Sequence, residues 1–193
     1  MKEKTNVVLL GGNGYIGTAI IQAWMKQNPE AVFYALCRTG QGPLKSENVH
    51  YIACDATDLK EVSAALPDKV DYMVDCVGVY TSDEQKLQQF NILPAKVMLE
   101  AAKGHDVKAF GYIGGSMGSK AFKASKLQAE KLLESGPTPV VVISPTLVYG
   151  NGRHDAMSKL VPLLKFAGFF NPKLKPITAS DLADQMVAQL LKY

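Results

Sequence analysis

The run Gly11-Gly12-Asn13-Gly14-Tyr15-Ile16-Gly17 restricts the fold more than any other stretch, because of what flanks it. Before it stands Val7-Val8-Leu9-Leu10, an apolar run of strand length, and after it a helical pattern runs from Tyr15 to about Gln27. Strand, glycine turn and helix in that order open a βαβ unit. Gly12, Gly14 and Gly17 fit the spacing in which one glycine makes a tight turn, one lets backbone approach a pyrophosphate, and one packs helix on strand. Gly11, Gly14 and Gly17 offer a second, three-residue spacing, and spacing alone does not choose between them. The helix start aims unpaired N–H groups and its positive end at a bound anion, so a phosphate suits this turn. A glycine-rich turn without ligand is the plain alternative.

The remaining chain repeats the alternation. Asn28-Pro29 stops the first helix and 31–37 reads as a second strand, followed by a third at 49–53. A helix at about 59–66 precedes Pro67, with Asp55 or Asp58 as its cap. Residues 70–76 form the next strand, and a long helical stretch over 82–103 is kinked or split at Leu93 by Pro94. Strands at 107–113 and 139–143 bracket an amphipathic helix over 120–134. Past Gly150 the pattern weakens: 151–156 reads as loop, 157–166 as a short apolar helix and 168–176 as irregular. Ile177-Thr178 suits a last short strand, and Ser180-Asp181 an N-cap pair for a terminal helix with the stripe Leu182, Met186, Val187 and Leu190. Near-continuous Val, Ile and Leu runs indicate strands buried on both faces. The expected fold is therefore α/β: a Rossmann-type doubly wound parallel sheet, in one domain over 1–193 with 151–176 as a small lid segment.

Composition excludes several function classes. A net charge of +3 across 193 residues, with no basic stripe, argues against nucleic acid or an anionic membrane as partner. No apolar run approaches a membrane span, and the apolar stretch after Met1-Lys2-Glu3-Lys4 is too short for a signal peptide. Cys37, Cys54 and Cys76 are an odd set without metal spacing, and His50, His105 and His154 are scattered. These features point to free thiols, no metal, a cytoplasmic protein, and a monomer or homodimer acting on a small molecule.

A dinucleotide on the glycine turn would bring its adenosine ribose to the end of the second strand. There an acid recognises the free 2′-hydroxyl of NAD and an arginine the 2′-phosphate of NADP. The residues are Cys37-Arg38-Thr39-Gly40, without a carboxylate, so Arg38 favours NADP (NADPH), with NAD the second choice. A surface arginine opening a loop is the alternative. Gly78, after the fourth strand, would let backbone pass close to a ligand.

With these segments in view, the sequence resembles atypical or extended short-chain dehydrogenases/reductases, the group that includes NAD-dependent epimerase/dehydratases and small NAD(P)H-binding proteins. The likeness spans nearly the whole chain, and the spacing of Gly11, Gly14 and Gly17 is that group's own. Cys54-Asp55-Ala56-Thr57-Asp58 resembles its Gly-Asp-x-x-Asp motif, which implies that Asp55, with Ala56 beside it, meets the adenine; Cys54 replaces the glycine. Cys76-Val77-Gly78 resembles the segment passing the ribose, and the stretch beginning at Asn91 the helix that follows. Ser144-Pro145-Thr146-Leu147-Val148-Tyr149-Gly150 resembles the loop beside the nicotinamide, with Ser144 where arginine is usual. The resemblance thus assigns Gly11, Gly14, Tyr15, Ile16, Gly17, Arg38, Asp55, Ala56, Cys76, Val77, Gly78, Lys126, Pro145, Thr146 and Leu147 to the cofactor.

The catalytic helix departs from that pattern. The group carries tyrosine, three residues, then lysine, whereas this chain reads Phe122-Lys123-Ala124-Ser125-Lys126. Phe122 has no proton to donate. Lys126 can still hold ribose, and Ser116 matches the catalytic serine, although a loop serine capping the next helix is an equal reading. Extended members also carry a further substrate domain, so any cover here must come from the segment after Gly150. Two functions follow. One is an NADPH-dependent oxidoreductase passing hydride directly to a small flavin-, quinone- or carbonyl-type acceptor, as in the small reductases that lack the tyrosine. The other is a non-catalytic NAD(P)H-binding sensor or assembly module.

Overall fold

In the first strand, β1 (Asn6–Leu10), successive side chains enter different cores: Val7 and Leu9 join one apolar cluster, Val8 and Leu10 the other. The second strand, β2 (Val32–Cys37), repeats this, with Phe33 and Ala35 on one side and Leu36 on the other. Burial on both faces explains the unbroken apolar runs, because period-two alternation appears only where one face meets water. The computed structural model describes residues 4–150 and 176–193.

With β3 (Val49–Ala53), β4 (Tyr72–Asp75), β5 (Ala109–Ile113) and β6 (Val140–Ile143), these strands form one six-stranded sheet in the order β3-β2-β1-β4-β5-β6. Every pairing is parallel. Helix α1 (Tyr15–Gln27) covers one face through Ile20, Ile21 and Trp24, all fully buried. The opposite face is covered by α2 (Leu59–Ala65) through Val62, α4 (Leu93–Ala101) through Ala95 and Met98, and α5 (Lys120–Glu134) through Ala129 and Leu133. The terminal helix α6 (Ala179–Leu190) packs beside α1, and its expected stripe of Leu182, Met186, Val187 and Leu190 is fully buried.

Two expectations are corrected, while the stretch over 82–103 divides at Leu93 as one of its two readings had it: α3 (Glu84–Leu87) passes into a π-helical turn (Gln88–Ile92), and α4 begins at Leu93. Pro94 falls in the first turn of α4, where its missing N–H removes no helical bond. The cap of α6 is Thr178, whose hydroxyl accepts the Asp181 N–H at 3.0 Å, so Ser180 and Asp181 lie inside the first turn. Val148–Tyr149, read as loop, is a short strand β7 paired in parallel with β8 (Ile177–Thr178). Of the two candidate caps for α2, Asp58 is the one used. The loop, apolar helix and lid expected after Gly150 lie outside the described residues. No helix among the described residues is long and apolar enough to cross a membrane.

Candidate cofactor cleft

Strand order reverses between β1 and β4, and the carboxyl ends of these strands leave a crevice there, the usual ligand position in such sheets. A cleft of about 400 Å3 occupies it. Gly11, Asn13 and Gly14 come from the turn, Cys37 and Arg38 from the end of β2, Cys54, Asp55, Ala56 and Thr57 from beyond β3, and Cys76, Val77, Gly78 and Val79 from beyond β4. Four segments distant in sequence thus converge on one groove, and it continues past Arg38 into a shallower depression bordered by Asp55 and Glu61.

The glycine turn satisfies both spacings for separate steric reasons. Gly11 has φ +74°, a conformation that side chains disfavour. A Cβ on Gly12 would lie 2.7 Å from the Ala35 Cβ, and one on Gly17 would lie 2.6 Å from the Gly11 carbonyl oxygen. Both glycines are needed for close packing. Gly14 is different: it is exposed, and its Cβ would meet only the Gly11 oxygen, at 3.1 Å. Among the described residues no side chain caps α1 and no acid stands in its first turn, so the positive end of the helix beside Gly14 suits an anion. Tyr15 and Ile16 are directed elsewhere. The Tyr15 hydroxyl donates to the Gly150 carbonyl at 2.6 Å, and Ile16 packs on the α1-side core.

Asn13, absent from the expected site, ties the turn to the arginine loop: its amide donates to the Gln41 carbonyl at 2.9 Å and the Thr39 hydroxyl at 3.3 Å. Arg38 is exposed at the lip of the cleft and enters no ion pair among the described residues. Asp55 is also exposed. The Thr57 N–H and hydroxyl bond its carboxylate at 2.9 and 2.7 Å and hold it below the usual carboxylate range, and nearby Arg38 acts in the same direction.

Beneath the β4 end lies a buried charged group. Lys126 is 6% exposed, so it is not a solvated helix lysine. Its Nζ is 3.4 Å from the Val77 carbonyl and 5.1 Å from the centre of the Tyr112 ring. A Cβ on Gly78 would come within 2.7 Å of that nitrogen, so the ammonium sits directly behind the backbone lining the cleft. Burial lowers the Lys126 pKa, opposed by Asp75. Burial likewise pushes Asp75 up to about 6, opposed by Lys126 and by the Val77 N–H that Oδ1 accepts at 2.8 Å. Asp75 Oδ2 has no hydrogen-bond partner among the described residues. Burial also raises the Cys54 thiol to about 11 and pushes Cys76 up, so both are protonated at neutral pH and poor nucleophiles.

The α5 end of the site matches the sequence in part. Ser116 does not cap α5; Ser119 does, accepting the Phe122 N–H at 3.1 Å. Ser116 is exposed, and its backbone N–H donates to the Pro145 carbonyl at 3.0 Å, which joins the β5 loop to the β6 loop. In that second loop Leu147 is buried, its carbonyl taken by Ile177, and Thr146 stands between it and Pro145. Asp75 and Asn91 carry the cleft's buried polar structure without having been singled out for a role. A polar residue inside an otherwise apolar pattern was the available signal for each.

A doubly wound parallel sheet with a glycine turn and a cleft at its switch point defines a nucleotide-binding protein of the Rossmann type. Residues 7–118, more than half of the chain, match the NAD dependent epimerase/dehydratase family, and the chain belongs to it. Comparison with curated protein sequences gave no match. Among solved structures, the chain resembles the Bordetella bronchiseptica enzyme WbmH in complex with NAD+ with a TM-score of 0.76 and 16% identity, covering 97% of this chain and 72% of that one. It resembles UDP-glucuronic acid 4-epimerase from Bacillus cereus, in complex with NAD, with a TM-score of 0.73 and 20% identity over 97% and 74% of the two chains. A short chain dehydrogenase family protein from Francisella tularensis matches with a TM-score of 0.72 and 14% identity over 97% and 91%. At these identities the likeness establishes the fold.

Proposed function

We propose that this protein is an NADPH-dependent oxidoreductase that reduces a small flavin-, quinone- or carbonyl-type acceptor by direct hydride transfer. The observation that carries the reading is the cleft itself: a helix N-terminus without a side-chain cap among the described residues, exposed Gly14, and Arg38 at the lip lie along one groove. These residues suit a phosphorylated dinucleotide, which when bound supplies the hydride. In this assignment Gly11, Gly14 and the α1 N–H groups bind pyrophosphate, Arg38 the 2′-phosphate, and Asp55 with Ala56 the adenine. Cys76, Val77 and Gly78 border the ribose. Lys126 lies one backbone layer behind them, and its cation favours the ribose hydroxyls there. Ser116, exposed and excused from capping, is the hydrogen-bond donor toward the acceptor, while Pro145, Thr146 and Leu147 shape the nicotinamide end. Tyr15, Ile16 and Gly17 hold the turn.

Phe122 makes a phenol-dependent route unavailable at its position, so acceptors that take their proton from water are favoured over sugar-nucleotide epimerisation. The test is NADPH consumption at 340 nm across quinones, flavins and aldehydes, beside calorimetric titration of NADPH. Turnover of at least one acceptor class with saturable NADPH binding is expected. Binding without any turnover would instead favour a sensor or assembly module, and no binding would overturn the cofactor assignment.

A further inference from the structure

Tyr80 directly follows the cleft-lining Val79 and rests against α5, and its environment is that of a fixed aromatic surface. Tyr80 is 58% exposed, the highest value among the large apolar residues described. It follows Val79, which lines the cleft, and its ring meets Phe122 edge to face with centroids 5.1 Å apart. Gly118 leaves room for it: a Cβ there would lie 2.7 Å from Tyr80 and 2.9 Å from Phe122. The backbone before it is held from beneath, since fully buried Asn91 bonds both the N–H and the carbonyl of Val79. The ring is therefore exposed on one side and supported on the other by Phe122 and the Gly118 backbone. A solvent-facing tyrosine needs neither support. A flat ligand that stacks does, because a ring already held in place loses little entropy on binding.

We infer that the Tyr80–Phe122 pair is the acceptor subsite, and that the acceptor it takes is a flat conjugated ring system such as a quinone or an isoalloxazine. This inference rests on the proposed oxidoreductase reading for its purpose, but not for its test. Tyr80 belongs to the loop that follows β4 at its carboxyl end, where the cofactor cleft also lies, and Phe122 to the first turn of α5. The pair offers an aromatic face and edge, which suits stacking by a flat ring. The position where the resembling group carries a tyrosine then has a different use: Phe122 is the prop that orients Tyr80.

The experiment is binding of riboflavin, followed by quenching of its own fluorescence, and of menadione by calorimetry, each with and without NADPH. Wild type, Tyr80→Ala, Tyr80→Phe and, as a remote exposed control, Tyr193→Ala are compared. Stacking on an aromatic ring corresponds to roughly tenfold or more in affinity. Tyr80→Ala is therefore expected to weaken riboflavin or menadione by about tenfold, while Tyr80→Phe and Tyr193→Ala retain wild-type affinity and all variants retain NADPH affinity. Equal affinities in wild type and Tyr80→Ala, or no binding of either ring compound to wild type, would overturn the inference while leaving NADPH binding intact. A loss in Tyr80→Phe equal to that in Tyr80→Ala would also overturn it, because the hydroxyl and not the ring would then be the recognised group. Tyr80-dependent riboflavin binding by a protein that does not bind NADPH would leave the subsite standing and sink the oxidoreductase reading instead.

Discussion

Asn91 holds Val79 at both of its backbone polar atoms: Oδ1 accepts the Val79 N–H at 2.8 Å, and the amide donates to the Val79 carbonyl at 3.1 Å. The same amide reaches the Ser125 hydroxyl at 3.1 Å, and that hydroxyl donates to the Phe122 carbonyl at 2.8 Å. A residue of the π-helical turn thereby ties the cleft-lining segment after β4 to α5. Replacing it with leucine strands these groups, and buried polar groups left unpaired cost about 1–3 kcal/mol each. Asn91→Leu is expected to lose roughly 2–5 kcal/mol of stability. Urea unfolding followed through Trp24, the single tryptophan and fully buried, measures it; a loss under about 0.5 kcal/mol, the range of ordinary surface changes, would refute the clamp.

The glycines divide by role, so their substitutions should divide too. Gly12→Ala and Gly17→Ala place a methyl within 2.6 to 2.7 Å of other atoms of the packed turn and are expected to lower the melting temperature. Gly14→Val should leave the circular dichroism spectrum nearly unchanged, because Gly14 opens to the cleft, while abolishing NADPH binding by calorimetry. Normal affinity in Gly14→Val would move the phosphate site elsewhere.

Arg38 sets the expected cofactor preference. A charge-assisted bond to a 2′-phosphate contributes about 1.5–3 kcal/mol, which corresponds to a preference for NADPH over NADH of roughly tenfold or more. Arg38→Ala should bring the two dissociation constants together by weakening NADPH alone. An unchanged ratio in the variant would remove Arg38 from the site.

Asp75 makes stability depend on pH in an identifiable direction. Its pKa rises from the ordinary 3.8 to about 6 in the fold, so between these values the folded protein keeps a proton that the unfolded chain has released. Its contribution is therefore full below about pH 4 and lost as pH rises through 6, by roughly 2–3 kcal/mol. Asp75→Asn removes that dependence. The stability of the variant relative to wild type should increase between pH 4 and pH 7, as read from urea midpoints, and parallel profiles would show that Asp75 is not desolvated.

The sequence by itself determined the nucleotide end of this protein, because that end is built from local rules. The glycine run stands between a strand and a helix, α5 spans 120–134 as its pattern predicts, and the strands read as doubly buried because each was apolar throughout; that α2 has an aspartate cap was legible, but not which of Asp55 and Asp58 it is. That Gly14 and Arg38 would border one groove was legible for the same reason, since a βαβ unit fixes where its turn and its second strand end. Tertiary structure alone decided what lies behind the cleft. Lys126 is buried against the Val77 carbonyl only because α5 comes back over the end of β4, a contact between segments some fifty residues apart that no spacing rule contains. Likewise the cap of α6 moved to Thr178 because Ile177–Thr178 pairs with Val148–Tyr149, a strand too short to show a period of its own. Periodicity reports which face of an element is buried; which other face it is buried against is settled only when the chain closes on itself, and that choice placed Tyr80 on Phe122 and Asn91 under Val79.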